Sequence, residues 1–494
     1  MPNYRHGIAT TRDTSINVDP AVAQYGIQCI IGTAPVNTLA DPSKAVNKPI
    51  ACYSMAEFES NFGKTSDYES YTLSQAAYMA FKKFAVGPII CINVLDPSVL
   101  AHKTAVAAAE KDIVDGKVIE AVEGIILSSV VITKTDDTAV PESVTVEGVT
   151  TINYLKSIDS EGNLVIAPTS DGALAGATKL KLAYAKLNPS GVTAADIIGG
   201  LSANNVRTGI ELVDEVYNTT GLIPFILLAP KFSENTAVTA ALEAKAQLAG
   251  DLTNGIAIVD IESAETTNYE NVYAKKQAMA LSTRWVVPCW PMVKVDGRKF
   301  SMSTVVATLL QSICVENNGV PADSPDNRLA RIQAVCLADG TELHMTTKEV
   351  NDYLNAYGIN SCVYIAGWKF WGGNTAAYPE DTDPNDRFIK CVMVSNYLED
   401  RFKTEYLSSV GRTGSVKRIQ SVVSNYNIAL NALNGTTLAG AEVLFNSTEN
   451  PMSEILEGRF KFHTRYADFT PIVYIENAFT WDSSILEAAF EGGE

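Results

Sequence analysis

Ile223-Pro224-Phe225-Ile226-Leu227-Leu228 is followed, past a helical stretch near 236–249, by Ile256-Ala257-Ile258-Val259-Asp260. A second helical stretch near 268–281 leads to Trp285-Val286-Val287-Pro288-Cys289-Trp290. Successive strand side chains point to opposite faces, so runs this uniformly apolar are covered on both sides. That is the condition of a parallel sheet between two layers of helices. Working outward, Tyr25-Gly26-Ile27-Gln28-Cys29-Ile30-Ile31-Gly32 and Pro88-Ile89-Ile90-Cys91-Ile92-Asn93-Val94 read as two more buried strands. Between them Ser54-Met55-Ala56-Glu57 is a capping box, opening a short helix that stops near Gly63, and a second helix covers 72–84. Val206, Ile210, Val213 and Tyr217 fall on one helical face, closed by Gly221.

Residues 101–192 differ in texture. They are rich in Val, Thr and Gly, with short alternating runs such as Ser143-Val144-Thr145-Val146-Glu147 and turn signals at Asp136-Asp137, Glu161-Gly162-Asn163 and Asp171-Gly172. This reads as a small all-β module inserted into an α/β chain. Downstream come a helix over 347–357, long helices near 385–409 and 415–433, strands at 459–466 and 472–475, and a last helix capped by Ser484-Ile485-Leu486-Glu487. A chain of 494 residues exceeds what one core usually holds, so several domains are expected.

The formal net charge is −18 and there is no Lys/Arg run, Lys417-Arg418 being a pair and not a patch, which disfavours nucleic acid and anionic membrane as partners. The eight cysteines form no CxxC and no zinc spacing, and read as buried reduced thiols. The N-terminus, Met1-Pro2-Asn3-Tyr4-Arg5-His6, has no apolar signal region, and no run of about 18 apolar residues occurs.

Chemistry is sparse. Gly411-Arg412-Thr413-Gly414-Ser415 has glycines but no phosphate-binding Lys, and reads as a turn between helices. Asp260 ends a parallel strand, and Ser301 and Ser303 open a helix. No histidine lies between them to take a serine proton, so they read as a strand end and a cap. Glu380, Asp381, Asp383 and Asp386 lack the spacing of a calcium loop and sit where carboxylates favour a helix start. The expectation is no enzyme, no metal and no cofactor.

Two patches stand out. Gly367-Trp368-Lys369-Phe370-Trp371-Gly372-Gly373-Asn374-Thr375 reads as a tight aromatic corner. The tail from Pro471 carries Ile472, Tyr474, Phe479, Trp481, Ile485, Leu486 and Phe490. So apolar an end needs a surface to bury against, either its own body or a neighbour.

These residues resemble the sheath proteins of contractile phage tails and of bacteriocin-like and other contractile injection particles. The stretch 367–375 is similar to that family's Gly-x-x-x-Trp-Gly-x-x-Thr motif, through Gly367, Trp371, Gly372 and Thr375. Ser324-Pro325-Asp326-Asn327-Arg328 looks like its Ser-Pro-x-Asn-Arg turn, and Ile31-Gly32-Thr33-Ala34-Pro35 like the end of its first core strand. The resemblance implies a non-catalytic α/β core of subtilisin-like topology, the inserted β module, a C-terminal α+β domain and extended arms. The corresponding spans are an arm at 1–20, a core at 21–100 and 193–365, the insertion at 101–192, a tube-facing domain at 366–470 and an arm at 471–494. It further implies hexameric rings stacked helically around an inner tube, with baseplate and terminator proteins at the ends. The location is a virion or phage-like tail assembled in the bacterial host cytoplasm. Arm contacts between subunits fall to Tyr4, Ile8, Ile16, Val18, Ile472, Tyr474, Phe479, Trp481, Ile485 and Leu486. Tube contacts fall to Arg401, Lys403, Lys417 and Arg418, which are equally readable as solvated helix faces. The arms should flex near Asp19-Pro20 and Asp468–Pro471. A degenerate subtilisin-like hydrolase, or another homopolymeric shell, are the alternative readings.

Overall fold

The computed structural model describes residues 25–39, 41–159, 162–247 and 254–491. Tyr4, Ile8, Ile16, Val18 and the Asp19-Pro20 hinge lie outside them.

Strands β1 (Gln28–Gly32), β2 (Pro49–Cys52), β3 (Ile89–Asn93), β4 (Ile226–Leu228), β5 (Ile256–Asp260) and β6 (Val286–Cys289) form one sheet in the order β6-β5-β4-β1-β3-β2. All neighbours run parallel except the edge strand β2, which is antiparallel to β3. Every residue of β1, β3, β4, β5 and β6 is buried, as their two-sided apolarity requires. Helix α1 (Met302–Glu316) is buried from Met302 to Cys314. Its polar stripe is matched to the sheet. The Gln28 amide donates to Thr308 Oγ1 (3.3 Å) and Gln311 Oε1 (2.7 Å), and Gln311 donates to the Pro88 carbonyl (2.6 Å). Buried amides without such partners would each cost on the order of 1–3 kcal/mol.

One face expected from the sequence is different. Residues 209–215 form a 3₁₀ helix, opened by Gly209 at φ +60° and followed by a single α turn, Val216–Thr220. A three-residue period turns Ile210 and Val213 inward together and leaves Val206 and Tyr217 exposed.

Between β3 and β4 lie two hairpins, Ser143–Val146 with Val149–Ile152 and Gly200–Leu201 with Arg207–Thr208, and two larger sheets. Lys103–Asp112, Lys179–Leu187, Val131–Thr133 and Ala139–Val140 form one, and Tyr154–Ile158, Leu164–Pro168 and Val118–Glu120 the other. Val118, Ile125, Leu164, Ile166, Leu180 and Leu182 belong to a core separate from that of the main sheet. At its base Lys103 pairs with Leu187 in one antiparallel ladder, so the segment leaves and returns at adjacent points.

Helices α2 (Ile389–Tyr406) and α3 (Val416–Asn431) and the hairpin β7 (Leu438–Leu444)–β8 (His463–Asp468) follow. Ile389, Val392, Tyr397, Tyr426, Leu438 and Val443 share the core of the six-stranded sheet. The strand expected at 472–475 is absent. Residues 469–482 form no regular structure and, among the described residues, no backbone hydrogen bond ties 470–482 to the rest of the chain. A strand is a pairing, and this segment has no partner among the described residues. Helix α4 (Ser483–Glu491) ends the described chain. Among the described residues no helix is long and apolar enough to cross a membrane.

Three buried or half-buried carboxyls shape the pH response. Burial holds Asp260 at about 6 and Asp400 at about 7; Glu234 is raised to about 7 by burial and then by the Asp260 and Glu262 charges. Their ordinary values are 3.8 for Asp and 4.5 for Glu. A carboxyl with a raised folded pKa takes up a proton on folding, so its stabilisation is complete below about 4 and is lost as pH rises through 6–7. Depressed groups such as Glu262, at about 2, are ionised in both states above about pH 6 and add no slope there. Each tenfold difference in proton affinity between folded and unfolded chain is worth at most ~1.4 kcal/mol. The isolated chain should therefore melt several degrees lower at about pH 8 than at about pH 5. A calorimetric midpoint that is flat across that range would show these carboxyls to be hydrated.

Candidate assembly interface

Two motifs some 40 residues apart meet here. Asn327 N donates to the Phe370 carbonyl (2.8 Å), Phe370 N to the Arg328 carbonyl (2.9 Å), and Ala330 N to the Trp368 carbonyl (2.9 Å). Strand Trp368–Trp371 is thus bonded on one side by 327–330 and on the other by Ser361–Tyr364. Asn327 adopts φ +60°, which its short polar side chain tolerates, and Lys369 Nζ donates to its Oδ1 at 2.8 Å. Ser324 Oγ accepts from Asp326 N (3.2 Å), and the Pro325 carbonyl accepts from Arg328 N (3.3 Å). The Arg328 guanidinium pairs with Glu316 (2.7 Å) and Asp323 (3.0 Å).

The glycines answer a geometric need at Gly372, which has φ +135°. A Cβ there would sit 2.4 Å from Asn360 Oδ1. Its N–H donates to Asp326 Oδ1 at 3.0 Å, closing the two motifs on each other. Gly367 turns at φ +127°. Trp371 Nε1 donates to Asn351 Oδ1 (2.8 Å), and Thr375 donates to the Asp386 carbonyl (2.6 Å). The acidic loop is similarly occupied: Asp383 caps a helical turn at Asn385 N, and Asp386 pairs with Arg284 at 3.0 Å.

The tail leaves beside this cluster. A cavity of about 290 Å³ is lined by Trp371, Gly373, Pro471, Val473 and Tyr474 among others. The sequence placed a flexible point at Asp468–Pro471, but Asp468 is pinned. Lys390 Nζ sits 2.8 Å from Asp468 Oδ2 and donates to the Phe469 carbonyl at 2.5 Å, with both side chains nearly sealed from solvent. A desolvated ion pair holds the last residue of β8, so Asp468 and Phe469 belong to the body. Beyond it Ile472, Tyr474, Phe479, Trp481, Ile485, Leu486 and Phe490 are all exposed, Phe479 to 90%. So many exposed large apolar side chains in one segment are unusual for a protein surface.

The serines do not make a catalytic centre. Ser303 donates through Oγ (2.5 Å) and N–H (2.8 Å) to the buried Asp260, and Ser233 Oγ donates to it at 3.4 Å. Asp260 thereby caps α1 from the end of β5, and among the described residues none of its hydrogen bonds is to a histidine. The buried His102 accepts from Asp96 N (3.1 Å) and faces Asp196 (3.6 Å). Gly411–Ser415 is the turn between α2 and α3, and Gly414 makes room for the Phe460 ring, which a Cβ would meet at 2.3 Å.

Of the basic residues singled out, Arg401 lies 3.8 Å from Glu405, and Lys403 lies 3.6 Å from the buried Asp400. Lys417 is exposed and Arg418 half-buried at the start of α3, and neither forms an ion pair among the described residues.

No family model matches the chain. It is 26% identical over 487 residues to the tail sheath protein of Burkholderia phage BcepMu, covering 95% of each chain. Two solved assemblies of the anti-feeding prophage contain chains of the same fold. In the baseplate structure the likeness covers 97% of this chain and 100% of that one, with a TM-score of 0.57 and 15% identity. In the helical sheath in its contracted state it covers 96% and 99%, with a TM-score of 0.54 and 15% identity. The resemblance read from the residues thus extends along 95% of the chain, to a tail sheath protein and not to an enzyme.

Proposed function

We propose that this chain is the structural subunit of a contractile tail sheath, placed in the tail of a virion or phage-like particle. The observation that carries this reading is the exposed apolar segment 472–490, in which 472–482 has no backbone hydrogen-bond partner among the described residues, on a chain similar over 95% of its length to a tail sheath protein. The subunits stack as hexameric rings around an inner tube, between a baseplate and a terminator. Residues 1–20 and 471–494 act as arms, 21–100 and 193–365 as the core of subtilisin-like topology, 101–192 as the insertion and 366–470 as the tube-facing domain. The arms cross to neighbouring subunits as added strands, which Tyr4, Ile8, Ile16 and Val18 anchor at one end and Ile472, Tyr474, Phe479 and Trp481 at the other. Main-chain bonds then supply the joint and side-chain pockets its register.

No nucleotide is required. Contraction makes contacts that the extended state lacks, and apolar surface contributes about 25 cal/mol per Å² buried. A few kcal/mol per subunit, multiplied over many copies, does the mechanical work of driving the tube through an envelope. Electron micrographs of the purified protein or its particle should show hollow helical tubes. Closed shells, flat lattices or monodisperse monomers would remove this reading.

A further inference from the structure

We infer that the terminal helix α4 of one copy docks in an aromatic groove of the C-terminal domain of another, and that basic side chains on the groove's rim select it. This rests on the proposed crossing of arms between subunits and adds a docking pocket for the part of the arm that is not strand.

The groove lies between α2, the turn at 409–414 and the segment leading into β8. It has a volume of about 310 Å³, and Phe402, Tyr406, Val410, Ile419, Phe460 and Phe462 line it. The rings brace one another, with Phe402 and Tyr406 centroids 5.0 Å apart and Phe402 and Phe462 5.8 Å apart. Val410, on its lip, is 78% exposed. An open apolar slot of this size is a cost in water unless something fills it.

Charge identifies the occupant. Arg412 and Arg418 line the groove, and neither forms an ion pair among the described residues, although the chain as a whole is strongly acidic. Residues 471–494 carry five carboxylates and no Lys or Arg. Within this tail α4 presents exposed Ile485, Leu486 and Phe490 around Glu487, an apolar helix with an acidic edge. Residues 469–482, drawn out at ~3.3 Å each, span about 45 Å, enough to carry α4 to a neighbour. An amphipathic helix laid in an apolar groove, with opposite charges along the rim, is a standard mode of recognition.

The test uses the full chain with Val410→Cys and Leu486→Cys together, oxidised after assembly. All eight native cysteines are buried, so background coupling is low. A ladder of covalent multimers, with loss of most of the monomer band, is the expected result. A cross-linked monomer of altered mobility would place α4 on its own body and overturn the inference. Intact tubes without any 410–486 coupling would overturn it too, while leaving the sheath reading standing. Absence of tubes from the unsubstituted chain would instead remove the reading beneath it. As a second measurement, Arg418→Glu should lower tube yield at least tenfold, and adding Glu487→Arg should restore most of it. No restoration counts against the pairing.

Discussion

Removal of residues 472–494 yields a protein that folds with an almost unchanged melting midpoint and forms no tubes. The two outcomes separate because this segment contributes little to its own chain. Nine large apolar side chains in it are exposed, and among the described residues no backbone hydrogen bond ties 470–482 to the body. Their loss therefore removes little intramolecular burial, and the midpoint should move by no more than ~2 °C. Burying half of the nine against other copies would contribute on the order of 10 kcal/mol, against an association cost of similar size. Without that term the balance tips to free subunits, and the assembled fraction should fall by at least ~100-fold. Calorimetry and sedimentation of the same sample read both quantities. Normal tubes from the shortened chain would show that the joints lie elsewhere.

Lys390→Met should cost about 3–5 kcal/mol in denaturant unfolding, the usual penalty for stranding one member of a buried ion pair. Methionine keeps the bulk but leaves Asp468 and the Phe469 carbonyl without their donor. Replacing both partners, as Lys390→Met with Asp468→Leu, should recover most of that loss, because no buried charge then remains. Equal costs for the single and double variants would mean that packing, and not the ion pair, holds the end of β8.

The sequence revealed the parts of the fold whose cause is local. The strands around Ile226, Ile256 and Val286 were legible because burial on both faces leaves an unbroken apolar run. The helices α2 and α3 were legible to within a few residues because their apolar positions recur at helical spacing. Strand β7 was missed, since Leu438-Ala439-Gly440-Ala441 is small and bulged and shows no alternation. Ile472–Ile475 misled in the opposite direction: β-branched and aromatic residues report fitness for a strand, not the presence of a partner. At the interface, the motifs at 324–328 and 367–375 could each be recognised, yet their contact could not, because it joins distant residues through backbone bonds and the side chains of Asn327 and Asp326, which leave no local spacing. The Lys390–Asp468 clamp, across 78 residues, leaves no periodic trace at all.

The inserted β segment joins the body through Lys103 and Leu187, which face each other as partners in a single ladder rung. Such partners stand roughly 5 Å apart. Excision could therefore be healed by two or three residues without moving β3 or β4, and a foreign domain whose own ends lie close could be spliced in at the same seam. In the proposed assembly this segment could be exchanged while the six-stranded sheet stays the same.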